Sequence, residues 1–224
     1  MSWKTAHRSF YYQNAPDPED LILRAEETAL LCIDVQNYGM KPAADPAERE
    51  RWAPFHRRMR ELVIPNLRAL QDAFRDAGMD VIHARIACLL PDGRDRSLSQ
   101  RLPGFNDLLM PLASEASQIV PELAPAPGEI VVTKTTDSAL TGTNLRLVLA
   151  NMGIRNLVVG GIYTDQCVSS TVRSLADESF NVVPVEDCCA AGTDALHAHE
   201  LEVLNRIYCH VLTSHEIRAV MGLG

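Results

Sequence analysis

The chain has 224 residues, 46% apolar and 22% charged, and its 29 acidic residues outnumber 21 Lys and Arg to leave a net charge of -8. That composition excludes an intrinsically disordered chain. The acidic balance works against nucleic-acid binding and against docking on anionic membranes, both of which need a basic face. Six Cys are too few for a disulfide scaffold. No apolar run reaches the roughly 18 residues of a membrane span, and the stretch to Asp20 carries no apolar export segment. A cytoplasmic protein with reduced thiols is expected, without membrane or nucleic-acid partners.

In chain order, residues 1–28 read as an irregular arm, with Trp3, Phe10, Tyr11 and Tyr12 as its aromatic residues and prolines at Pro16 and Pro18. A single domain is expected over 29–224. Ala29–Ile33 is a continuous apolar run ending at Asp34, as a strand covered on both faces requires. Asp45-Pro46 reads as a helix cap with a first-turn proline. Behind it Phe55, Met59, Leu62, Val63, Leu67, Leu70 and Phe74 recur at helical spacing. Pro65 should kink or split this helix, and Gly78 should stop it. Residues 80–86 give a second strand. The Pro-rich polar stretch 88–128 is long enough to be functional or to contain short helices. Strands at 129–134, 156–162, 181–186 and 209–213 then alternate with helices near 143–152, 166–179, 194–207 and from about 214. The alternation predicts an α/β fold of three layers, with a mostly parallel six-stranded sheet between two layers of helices.

Ligands of such sheets bind beyond the carboxyl ends of the strands. Asp34 ends the first strand and Lys134 the third, while Cys167 follows the fourth across Tyr163–Gln166 and opens a helix. At a helix start, unpaired N–H groups and the helix dipole should lower the thiol pKa and make Cys167 a nucleophile, and the same N–H groups can hold an oxyanion. Asp34, in a partly dry pocket, can take a proton from the thiol and return it to a leaving amine. Lys134 beside it should stay cationic and stabilise a thiolate. Gln36 and Asn37 are expected to line the pocket, with Thr164 and Arg85 as further candidates for substrate contact. Arg85, Arg94 and Arg96 could pair with a substrate carboxylate, although solvated charge is the commoner state of each.

Three segments carry a family resemblance: Leu30-Leu-Cys-Ile-Asp34-Val-Gln-Asn37, Lys134-Thr-Thr-Asp-Ser-Ala-Leu-Thr-Gly-Thr-Asn144-Leu, and Gly160-Gly-Ile-Tyr-Thr-Asp-Gln-Cys167-Val. Together they resemble the isochorismatase-like cysteine hydrolase superfamily over roughly residues 28–222. The resemblance implies an Asp-Lys-Cys triad at Asp34, Lys134 and Cys167. It also implies a cis peptide bond between Ile162 and Tyr163, and an oxyanion hole from the N–H groups of Tyr163 and Cys167. The implied reaction is hydrolysis of a C–N amide bond through a thioester, with no redox or organic cofactor. Thr164–Arg173 and Val185–Cys189 resemble the branch of biuret, ureido and N-carbamoyl amidohydrolases, including N-carbamoylsarcosine amidohydrolase, which implies a small ureido, carbamoyl or carboxamide substrate. Homo-oligomers, dimers or tetramers, are common in the family and expected here.

Departures from the family narrow the reading. The nicotinamidase branch places Asp-x-His and a further His as metal ligands after its second strand. Here that stretch is Asp80-Val-Ile-His83-Ala-Arg85-Ile, so no metal is expected. His197 and His199 stand two apart on a helix and do not face one way; one exposed and one half-buried imidazole are expected. Cys32, Cys209 and the Cys188-Cys189 pair read as packing residues, and Gly160-Gly161 lacks the spacing of a dinucleotide fingerprint. Vinyl-ether hydrolysis driven by Asp34 alone, and a non-enzymatic thiol sensor, remain the alternatives.

Overall fold

The apolar run after the arm forms β1 (Thr28–Ile33), and all of it is buried. A strand with no solvated face must lie inside a sheet covered on both sides. In this computed structural model, which describes residues 2–103 and 107–224, β1 is the middle strand. It pairs in parallel with β2 (Asp80–Ile86) on one side. β3 (Ile130–Lys134) flanks β2. On the other side β1 pairs with β4 (Asn156–Ile162), and β5 (Asn181–Ala190) lies beyond that. The sheet therefore has five strands in the order β3-β2-β1-β4-β5, all parallel.

The sixth strand expected at 209–213 falls short of a ladder. His210 N–H donates to Val182 O, Leu212 N–H to Pro184 O, and Glu186 N–H to Leu212 O. The missing rung is the one Pro184 would donate, and proline has no N–H. What remains is an isolated bridge between Val185 and Leu212.

Helices cover both faces. After the single turn α1 (Asn37–Met40), α2 (Pro46–Arg58) starts at Asp45, whose carboxylate accepts from Ala47 N–H at 2.7 Å. The predicted break at Pro65 takes the form of a wide π turn over Met59–Val63, which leads into α3 (Ile64–Asp76). Pro65 cannot donate to the preceding turn, and widening that turn lets the chain run on as one rod. The remaining helices are α4 (Leu145–Asn151), α5 (Ser169–Asp177), α6 (Asp194–Leu204) and α7 (Ser214–Met221).

The period-two alternation of β1 divides the core. Ala29, Leu31 and Ile33 pack with Leu145, Leu149, Val172, Leu175 and Leu201 of α4, α5 and α6. Leu30 and Cys32 pack with Phe55, Leu67, Leu70, Phe74 and Ile217 of α2, α3 and α7. Truncating a fully buried leucine such as Leu31 to alanine costs about 2–5 kcal/mol in sites of this kind. Among its described residues, the long connection 88–128 carries short 3-10 turns at Ser99–Arg101, Glu115–Ser117 and Pro121–Leu123. The arm lies against the C-terminal part of the chain: Asn205 Nδ2 donates to the carbonyls of Ala6 and His7, and Trp3 N–H donates to Glu216. Among the described residues, no helix is long and apolar enough to cross a membrane.

Candidate active site

Three strand ends deliver their side chains to one point. Asp34 directly follows β1 with φ +55°, a left-handed conformation that Asp tolerates better than most residues. Lys134 is the last residue of β3, two strands away, and its side chain is fully buried. Its ammonium lies 2.7 Å from Asp34 Oδ2, donates to Cys167 Sγ at 3.3 Å, and donates to the carbonyl of Thr136 at 3.1 Å. Two N–H bonds and one ion-pair contact therefore fix the nitrogen between the carboxylate and the sulfur.

Cys167 stands in a π turn, Thr164–Val168, that leads into α5. Gly161 lets the two segments approach. Its φ is +136°, and a Cβ there would fall 2.0 Å from the carbonyl oxygen of Ile33. Only glycine fits, and its absence of a side chain holds the end of β4 against the end of β1. The Ile162–Tyr163 peptide bond is cis.

Electrostatics at this point differ from the helix-start expectation. The Cys167 thiol is pushed well above its ordinary value, first by burial and then by the Asp34 carboxylate, with Lys134 opposing. The local reasoning at the helix start is thus corrected: two carboxylates face the sulfur, Asp137 Oδ1 being 3.8 Å from it. Burial also raises Asp34, while Lys134 pulls it back. Burial would lower Lys134, but Asp34 and Cys167 outweigh it and hold the ammonium protonated. Burial thus favours the protonated thiol, beside the Asp34–Lys134 ion pair. Neither oxygen of Asp34 has a hydrogen bond of good geometry, so a buried acceptor is available to a proton arriving from the thiol or a ligand.

Above these residues opens a cavity of about 260 Å³. Its floor includes Asp34, Cys167 and Asp137, and its walls are Trp52, Tyr38, Tyr163, Ile162, Leu108 and Met110. Gln36 and Gln166 also reach it. Trp52, Phe55 and Tyr163 form an aromatic cluster, with Tyr163 5.2 Å from the Phe55 ring and 6.0 Å from the Trp52 ring. Burial pushes the Tyr163 hydroxyl up to about 12.

Asp34, Lys134, Cys167, Tyr163 and Gln36 come together. Gln36 is spent on the backbone, exchanging hydrogen bonds with Ile86 and donating to Ser117 O. The other expected substrate contacts lie outside the lining. Asn37 turns away to donate to Glu115 O. Thr164 is buried against His197 Nδ1 at 2.8 Å. Arg85 is tied to Gln118 and Thr133. The sequence reading missed Trp52, Tyr38, Asp137 and Gln166. Asp137, three residues beyond Lys134, and Gln166, directly before Cys167, lie in the motif segments; Trp52 and Tyr38 gave no such signal.

The histidines do not gather. His83 is bonded to Glu129 at 2.9 Å, His197 is buried rather than half-buried, and His199 is exposed. Among the described residues, no group of three or more His, Cys, Asp or Glu is arranged to hold a metal ion. The six cysteines are free and buried.

Comparisons with known proteins agree with the motifs. A sequence model of the isochorismatase domain matches residues 28–216. The ureidoacrylate amidohydrolase RutB of Rhizobium rhizogenes (strain K84 / ATCC BAA-868) is 31% identical over 183 residues, covering 76% of this chain and 73% of that protein. A solved hydrolase of the isochorismatase family from Chromobacterium violaceum ATCC 12472 superposes with a TM-score of 0.69 at 30% identity, over 92% of this chain and 98% of the other. N-carbamoylsarcosine amidase from Thermoplasma acidophilum shares the fold, with a TM-score of 0.66 at 23% identity, over 84% of this chain and 96% of that one.

Proposed function

The chain belongs to the isochorismatase family, and from that premise we propose that it is a cysteine-dependent amidohydrolase cleaving a C–N bond of a small ureido, N-carbamoyl or carboxamide compound. The observation that carries this reading is the contact of the Lys134 ammonium with both Asp34 and the Cys167 sulfur at the floor of the cavity. The amidohydrolase activity named for the relative supports it.

In the proposed reaction Cys167 Sγ attacks the carbonyl carbon while Asp34 takes the thiol proton. Lys134 offsets the negative charge growing on sulfur. The carbonyl oxygen, now an oxyanion, is met by the N–H groups of Tyr163 and Cys167, each such donor contributing on the order of 10²–10³ in rate. Asp34 then gives its proton to the leaving nitrogen, the C–N bond breaks, and ammonia or an amine departs. Water, deprotonated by Asp34, cleaves the thioester and restores the thiol. Keeping the thiol protonated until substrate arrives suits this cycle, because the proton that Asp34 needs for the leaving group comes from the nucleophile itself.

The test is ammonia release from nicotinamide, biuret, ureido acids, N-carbamoyl amino acids and simple carboxamides. Cys167→Ala and Cys167→Ser are expected to abolish it, and the wild-type protein is expected to show the mass of an acyl adduct on Cys167 when trapped. Undiminished turnover in both variants overturns the cysteine mechanism. Turnover that survives at Cys167 but fails in Asp34→Asn points to hydrolysis driven by the carboxylate alone.

A further inference from the structure

We infer that the substrate carries no carboxylate: the cavity is built for an uncharged amide or ureido compound with a flat apolar group. This rests on the reading above and adds its charge class. Among the described residues, no Arg, Lys or His side chain lines the cavity itself; Lys41 and His56 line an adjoining cavity, beyond the shared wall of Tyr38, Trp52 and Tyr163. Lys134, beneath the floor, is fully buried, with its ammonium paired to Asp34 and donating to Cys167 and to Thr136 O. It neutralises Asp34 and leaves nothing for a second anion.

Asp137, by contrast, faces the cavity with no cation paired to it among the described residues. Its Oδ1 accepts from the Gln100 amide at 3.1 Å. The neighbouring arginines are spent elsewhere. Arg85 holds Gln118 and Thr133, Arg94 pairs with Asp92, and Arg96 holds the carbonyls of Gly93 and Gln100 and the Asp107 carboxylate. The cavity thus holds one uncompensated negative charge, walled by Trp52, Tyr38, Tyr163 and Met110. A carboxylate held against the Asp34–Cys167 floor would lose its hydration, find no counter-charge among the lining side chains and face a like charge. Aromatic faces instead favour a planar neutral group. In this respect the chain departs from its relative, whose named substrate is an acrylate and so carries a carboxylate.

The experiment compares matched pairs: phenylurea with 4-ureidobenzoate, and benzamide with its 4-carboxylate. Binding to Cys167→Ser is read by calorimetry and ammonia release is read with the wild-type protein. The neutral member of each pair is expected to bind roughly 100-fold more tightly or better, since like-charge juxtaposition without a counter-ion costs several kcal/mol. Adding Asp137→Asn should narrow that ratio about tenfold, and Leu108→Arg, which supplies a cation at the wall, should narrow or invert it. Equal or tighter binding of the carboxylates, or binding of neither member, overturns the inference. A clear preference for the neutral members with no ammonia released from either leaves the charge selection standing and overturns the amidohydrolase reading instead.

Discussion

Two clusters in this molecule, one half-buried and one buried, bring a cation, a carboxylate and a third titratable side chain together, and they end in opposite states. In the first, at the side of the sheet, Glu129 is saturated. Arg75 donates to both of its oxygens at 2.7 and 3.0 Å, His83 meets Oε2 at 2.9 Å, and Ala126 N–H donates to Oε2 at 2.8 Å. Burial opposes ionisation there, but these bonds win and hold the carboxyl down at about 2. In the second, Asp34 touches one ammonium, has no well-formed hydrogen bond, and is raised by burial. The difference teaches that residue type does not make a site. A carboxylate whose acceptors are all taken is a structural strut; one left short of donors beside a cavity is chemically available.

Substitution can break that comparison most sharply at Asp34. Asp34→Asn is expected to lower the rate of ammonia release by about 10²–10⁴, the range of a lost general acid–base group. Glu129→Gln should do the reverse, leaving kcat near wild type while lowering stability by about 1.5–3 kcal/mol in urea unfolding, as removal of charged hydrogen bonds does. Equal losses of activity in the two variants would erase the distinction.

Acidity sharpens it further. The folded pKa of Glu129 is depressed, so its stabilising contribution is complete above the ordinary value of 4.5 and is lost as pH falls toward about 2. Wild-type stability should drop through that window, and Glu129→Gln should drop less. Asp34 moves the other way. Its raised pKa makes its contribution greatest when protonated and lost as pH rises. The acid limb of kcat/KM should therefore lie above the usual carboxylate range. The smallest effect is expected for His83→Gln. Arg75 and Ala126 still hold Glu129, so the loss in unfolding free energy should be about 0.5–1.5 kcal/mol.

What the sequence made legible was local. The unbroken apolar run of β1 named a covered strand, Asp45-Pro46 named a helix start, and residues at strand ends named the place where Asp34, Lys134 and Cys167 meet. What it hid depends on contacts far along the chain. The direction of the thiol shift could not be read from the helix start, because it comes first from burial of the sulfur and then from Asp34, which reaches Cys167 from another strand. Trp52 sits in a charged helix and offers no local sign that it lines the cavity. Thr164 adjoins the candidate oxyanion donor in sequence, yet the turn points it at His197 on the opposite side. Pro184 was visible, but that it would remove one rung and leave the last strand unfinished needed the neighbouring segment in place.

The burial of the Cys167 sulfur, which pushes its thiol up, has a consequence for survival under oxidants. Peroxide and alkylating reagents attack thiolates, so a sulfhydryl held in its protonated form and screened by its surroundings is a slow target for them. Iodoacetamide at neutral pH should label this chain sluggishly, and brief peroxide exposure should leave Cys167 largely unmodified.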